Sequence, residues 1–177
     1  MIETERLLLR PIGPDDRDAV ATMFASPSGR RYLGGPRPAD EAWDAIVAMM
    51  ACQAAYGMSC WGVERRADAR LIGVCGLAPF ARADTPIEGE IEIGWQLAEE
   101  SWGQGYGLEA AKASLAWGWG HLPAPRIVAI TVPANLPSVR LMARLGMTPR
   151  PDLDFDHPLF AAGDPLRRHV TYEAQRP

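Results

Sequence analysis

Apolar positions recur along the chain with two periods, and the switches between them mark the elements. Leu7, Leu8 and Leu9 form an apolar run that predicts a first strand ending near Pro11. Pro14, Asp15 and Asp16 open a helix, with acid in the first turn at the positive end of its dipole. Ala19, Val20, Met23 and Phe24 then share one helical face. After the loop Gly34-Gly35-Pro36-Arg37-Pro38, the helical spacing of Trp43, Ile46, Val47 and Met50 predicts a second helix, stopping at Gly57. The period then shortens. Residues 59–66 and 70–79 read as strands around a turn at 65–69, and 87–97 as a third strand. In that third strand Glu88, Glu90 and Glu92 alternate with Ile87, Gly89, Ile91 and Ile93, giving one apolar face and one row of carboxylates.

A glycine-rich turn leads into a helix over 105–121, whose apolar positions are Leu108, Ala111, Leu115, Trp119 and Leu122. A β-branched run over 126–132, bounded by Pro125 and Pro133, is a strand. Residues 136–145 are helical up to Gly146, a short strand fits 147–151, and a last strand lies near 168–174. The order β-α-α-β-β-β-α-β-α-β predicts an α/β (α+β mixed-sheet) fold with helices on both faces. The strands 87–97 and 126–132, joined by a helix, should be parallel. With 177 residues, 47% of them hydrophobic, the chain suits one domain over 1–177 with a continuous core.

Charge and cysteine content remove several function classes. Eighteen Lys and Arg against 22 Asp and Glu leave a net charge of −4, which argues against a nucleic-acid partner or an anionic membrane surface. Residues 45–63 carry no charge and approach the length of a membrane span. They are rich in Ala and contain Gln53, Tyr56, Gly57 and Ser59, so a buried helix followed by a strand is expected there. Cys52, Cys60 and Cys75 have no metal-ligand or disulfide spacing, so no metal is expected and a reducing, cytoplasmic setting is. The first ten residues lack the order of a signal peptide.

Candidate chemistry concentrates in Trp102-Gly103-Gln104-Gly105-Tyr106-Gly107-Leu108-Glu109, between a strand and a helix. Unsatisfied amides at a helix start, helped by the dipole, form a phosphate cradle that needs no basic side chains. Glycines serving only a tight turn are the plainer alternative. Gly105-Tyr-Gly-Leu-Glu-Ala110 matches a dinucleotide motif in letters, but its first glycine lies too far beyond the strand. No acid ends the following strand, and no Gly-Lys-Ser/Thr occurs for a P-loop.

At these residues the chain resembles the GNAT superfamily of acyl-CoA N-acyltransferases, and within it the RimJ/RimL-like group. Trp102-Gly-Gln-Gly105-Tyr-Gly107 resembles the family's Gln/Arg-x-x-Gly-x-Gly/Ala motif, with Trp102 in place of Gln/Arg. Glu92-Ile-Gly-Trp-Gln-Leu97, Asn135-Leu-Pro-Ser138 and Leu145-Gly-Met147 resemble further segments of the subgroup, in the same order. The resemblance implies a mostly antiparallel sheet whose parallel fourth and fifth strands splay apart. It implies that Gln104, Gly105, Tyr106, Gly107 and Leu108 hold the acetyl-CoA diphosphate, with Trp95, Gln96 and Leu97 along the pantetheine. Glu92, nearest the splay, is the candidate general base, and a solvated strand face is its alternative. Many relatives carry a tyrosine seven residues after the motif asparagine; here Met142 stands there. Ser138 is the remaining hydroxyl for the thiolate, and Asn135 bridges to pantetheine or simply caps its helix.

Glu109 is expected to fix the turn, and His121, His157 and His169 to be surface or loop residues. The expected reaction is acetyl transfer from acetyl-CoA to a primary amine, a peptide N-terminus or a small molecule, within a ternary complex of a monomer or homodimer. The negative balance favours a cationic acceptor, chosen by the region of the first two helices and the 152–166 loop. The alternatives are a non-catalytic acyl-CoA sensor on the same fold and, more remotely, a dinucleotide oxidoreductase.

Overall fold

A long, largely antiparallel sheet forms the spine of the computed structural model, which describes all residues 1–177. The strands are β1 (Ile2–Glu3), β2 (Leu7–Arg10), β3 (Cys60–Arg65), β4 (Arg70–Pro79), β5 (Ile91–Leu97), β6 (Arg126–Thr131), β7 (Thr148–Pro149), β8 (Phe155–Asp156) and β9 (Arg168–Gln175). They lie in the order β1-β2-β3-β4-β5-β6-β9-β7, with β8 on β9. Every pairing is antiparallel except β5 with β6, the parallel pair expected from the crossover.

The helices are α1 (Arg17–Ala25), α2 (Ala39–Tyr56), α3 (Tyr106–His121) and α4 (Leu136–Arg144). Val20, Met23 and Phe24 of α1 and Ala42 and Ile46 of α2 pack with Val74 on one side of the sheet. Ala110, Ala111 and Leu115 of α3 and Met142 of α4 pack with Leu77, Ile93 and Ile127 on the other. Both faces are thus covered, and β4 is almost continuously buried. At Gly76 the strands approach so closely that a Cβ would lie 2.0 Å from the Ser59 carbonyl. Gly57, at φ 70°, ends α2 where the sequence places the stop.

Three local expectations are corrected. The strand drawn over 87–97 begins only at Ile91, because a turn through Gly89 (φ 79°) precedes it. Ile87 instead folds into a small cluster with Phe80, Val128 and Phe155. The row of carboxylates therefore does not exist: Glu88 is exposed in the turn and Glu90 pairs with Arg126 at 2.6 Å. Helix α2 turns a different stripe inward. Ala42 and Ile46 are fully buried while Val47 and Met50 remain 46% and 40% exposed. Finally, β1 and β8 go unread in the sequence, since two residues carry no periodicity.

Strands β5 and β6 touch through a single register pair, Glu92 with Val128. Beyond it β5 stays on β4 and β6 turns to β9, so the two part. Helices α3 and α4 both begin at the mouth of this gap.

Candidate active site

The gap opens into a cleft of about 680 Å³. Glu92, Trp95, Gln96, Leu97, Gly105, Tyr106, Gly107, Leu108, Asn135 and Ser138 all line it, whereas Gln104 does not. The Gln104 side chain donates to the Glu100 carbonyl instead, and its own carbonyl accepts from Arg6.

The glycine turn is shaped as an anion cradle. Gly103 and Gly105 have φ of 70° and 83°, which a Cβ would strain. The first helical bond of α3 runs from Glu109 N to Gly105 O. No backbone N–H from residue 103 to residue 108 donates within the chain, so these consecutive amides are unpaired, and all but that of Gln104 belong to residues lining the cleft. A clamp behind the turn holds it. The Glu109 carboxylate accepts from the Thr4 hydroxyl, the Arg6 amide and the Arg6 guanidinium, which also lies 4.5 Å over the Tyr106 ring. Burial pushes the Glu109 carboxyl up, but these hydrogen bonds more than offset it and hold the group below its ordinary range. Glu109 thus has the turn-fixing place expected of it. Trp102 closes the end of the cleft by donating from Nε1 to the Leu97 carbonyl at 2.8 Å. Beside it, Ser101 is 1% exposed and its hydroxyl is the one buried side-chain oxygen without a partner.

At the start of α4, Asn135 acts as helix cap and more. Its Oδ1 accepts from the Ser138 amide, and its Nδ2 donates to Thr131 Oγ1 at 2.9 Å and Ser138 Oγ at 3.0 Å. Trp95 Nε1 also donates to Ser138 Oγ, at 3.4 Å. With two donors already on its oxygen, Ser138 keeps its own O–H free to donate. Met142, where relatives have tyrosine, is buried in the core and supplies no acid.

Strand alternation sends Ile93, Trp95 and Leu97 toward the α3 side and Glu92 and Gln96 toward the α1 side. Glu92 is partly buried, and no hydrogen bond or ion pair reaches its carboxyl. Burial alone raises that carboxyl from 4.5 to about 7. The group therefore exchanges a proton near neutrality, as a general base must.

Beyond Glu92 the cleft continues into a second cavity of about 590 Å³. Tyr32, Leu33, Glu92, Ile130 and Thr131 border both spaces. The buried Arg30 shapes the Tyr32 loop from within. Its guanidinium donates to the Leu33 and Gly35 carbonyls and to Gln96 Oε1. With no carboxylate partner, burial pulls it down to about 10, with Arg37 adding to the shift.

One sequence expectation holds only in part here. His157 lies in a loop and His169 in β9, but neither is at the surface: each is 7% exposed, their ring centroids lie 4.8 Å apart, and both line the second cavity. Basic side chains, which the amide cradle does not require, also border the cleft: Arg31, Arg140 and Arg144, none of them ion-paired. Spacing could have revealed the last two: four residues apart, they share a helical face starting at the Asn135 cap.

Comparison with known proteins bears on this arrangement. A family model described as an acetyltransferase (GNAT) domain matches residues 6–148. An uncharacterized N-acetyltransferase from Bacillus subtilis, YoaA, is 29% identical over 148 residues, 82% of this chain and 81% of its own. The crystal structure of an acetyltransferase from Agrobacterium tumefaciens superposes with a TM-score of 0.78 at 29% identity, covering 98% and 93% of the two chains. The fold of RimL, a ribosomal L7/L12 α-N-protein acetyltransferase crystallised with coenzyme A, matches at a TM-score of 0.76, with 15% identity and coverage of 97% and 95%. A splayed parallel pair, a glycine turn of unpaired amides and a matched domain spanning most of the sequence agree: the chain belongs to the GNAT family of acetyl-CoA-dependent acetyltransferases.

Proposed function

We propose that the chain moves the acetyl group of acetyl-CoA directly onto a primary amine, with both substrates bound at once. The main support is that Glu92, the one carboxylate lining either cavity, has no partner and sits at the last bridge before the strands part. Acetyl-CoA brings an activated thioester. The amides of residues 103–108 hold its diphosphate, and Arg31, Arg140 and Arg144 add positive charge at the rim. The free edge of β5 at Trp95, Gln96 and Leu97 accompanies the pantetheine arm.

Glu92 takes a proton from the incoming ammonium, directly or through a water, and frees the nitrogen lone pair. The nitrogen attacks the thioester carbon, the new C–N bond forms and the C–S bond breaks. The surplus proton of the acylated nitrogen passes to the departing thiolate, and Ser138 donates a hydrogen bond from its free O–H to that sulfur, with the positive end of α4 behind it. Asn135 keeps the serine oriented. Direct transfer fits the cysteines: burial pushes Cys60 and Cys75 up to about 12, and no cysteine lines the cleft. One chain supplies every residue invoked, so a monomer suffices. The test is thiol release from acetyl-CoA with a panel of primary amines: amine-dependent release that Glu92→Gln suppresses supports the reading, whereas release indifferent to that change contradicts it.

A further inference from the structure

The second cavity differs from the coenzyme cleft in a way that bears on the acceptor. We infer that it is the acceptor pocket, and that it takes a small monoamine with a flat apolar body, of the arylalkylamine class, rather than a polyamine. This rests on the acetyl-transfer reading above and names its second substrate.

Three observations carry the inference. First, position: the cavity meets the coenzyme cleft at Glu92, so an occupant with its amine on that carboxylate extends its remaining atoms into the cavity. Second, much of the wall is apolar and several of its rings are aromatic. Tyr32, Leu33, Phe80, Leu159 and Phe160 line the cavity beside His157 and His169, and Phe160 stacks on His169 with ring planes 24° apart. Such surfaces favour an aromatic guest over a hydrated chain. Third, charge: Glu92 is the only carboxylate lining this cavity, and the one arginine in its wall, the exposed and unpaired Arg82, is a cation. One ammonium finds a counter-charge, and the second or third of a polyamine meets arginine instead. Apart from Glu92, none of the carboxylates behind the net charge of −4 lines these walls.

The histidines do not change this balance. The His157 Nδ1 accepts from the Leu159 amide and the His169 Nδ1 faces the Arg167 carbonyl, so neither Nε2 has a partner within the chain. Burial, with His169 and Arg82 adding to it, pulls His157 down to about 4, and burial lowers His169 as well. At neutral pH both rings are uncharged and offer polar edges, not anions.

The experiment follows thiol release from acetyl-CoA with phenethylamine, spermidine and an alanine-initiated tripeptide, alongside calorimetry with coenzyme A. The inference expects kcat/KM for phenethylamine to exceed that for the other two by about 100-fold. Phe160→Ala should lower it by about tenfold while leaving coenzyme A affinity unchanged, which also shows that the variant is folded. Leu33→Glu, which adds a carboxylate, should raise spermidine turnover. A wild-type enzyme that binds coenzyme A but prefers spermidine or the tripeptide overturns the acceptor class alone. So does a Phe160→Ala variant with unchanged phenethylamine kinetics. Coenzyme A binding without turnover of any amine overturns the transfer reading, and this inference with it.

Discussion

Glu92 joins the chemistry to the fold. Its carboxyl has no partner to offset burial, so it stays protonated up to about pH 7. Acetyl transfer should therefore rise through pH 7 as the base form appears, and level off above it. Glu92→Gln should lower kcat by about 100-fold or more and abolish that limb of the profile, measured as thiol release against pH. The same burial has a cost in stability. Because the folded chain binds this proton more tightly than the unfolded chain, stability falls as pH climbs from 4.5 to about 7. In thermal melts, Glu92→Gln should then match the wild type in acid and melt higher at about pH 8. Ser138→Ala should lower kcat by about tenfold with little change in the KM for acetyl-CoA, since in the proposed mechanism the hydroxyl hydrogen-bonds the departing thiolate. Of these roles the sequence disclosed the residue types and their spacing. It could not disclose that Glu88 and Glu90 leave the strand while Glu92 stays, because one positive φ at Gly89 decides that.

The glycine turn and its helix show why some elements are readable and others are not. Gly105, at φ 83°, cannot take a side chain without strain, and the alternating glycines announce this in the sequence. Gly105→Ala should weaken coenzyme A binding by about tenfold in calorimetry, from the roughly 1–2 kcal/mol a Cβ adds in the left-handed region. Gly76 carries a stricter limit that nothing in the sequence marks, since its neighbour across the sheet is the Ser59 carbonyl. Gly76→Ala should destabilise by about 3 kcal/mol in denaturant titration, because backbone cannot move aside as a side chain can. Periodicity found α2 but turned it by one position. Trp43, Ile46, Val47 and Met50 make a better apolar stripe on paper, yet the small Ala42 lets the helix lie close to the sheet. The buried His157 and His169 escaped for a related reason: the cluster they join brings Phe80, just past β4, and His169 of β9 onto the 155–160 segment that holds Phe155 and Phe160.

At the scale of the molecule, the sheet divides the labour. The α3 and α4 side supplies the anion cradle and the serine, and the α1 and α2 side supplies the carboxylate and the loop that Arg30 shapes. The two sets meet where β5 and β6 part, at the border the two cavities share along Tyr32, Leu33, Glu92, Ile130 and Thr131. Element order and three short motifs make this division legible in the sequence. The proposed acceptor pocket is legible only in part: the region of the first two helices and the 152–166 loop, expected to choose the acceptor, supply Tyr32, Leu33, His157, Leu159 and Phe160, but nothing in the sequence sets them against Phe80, Arg82 and His169. The central claim is that bare main-chain amides at the start of α3 hold coenzyme A, and it is tested most directly by an amide NMR titration of the isotope-labelled protein with coenzyme A. Saturable shifts largest at the amides of residues 103–108 are the predicted result. An unchanged spectrum there, at coenzyme concentrations that support catalysis, would contradict it.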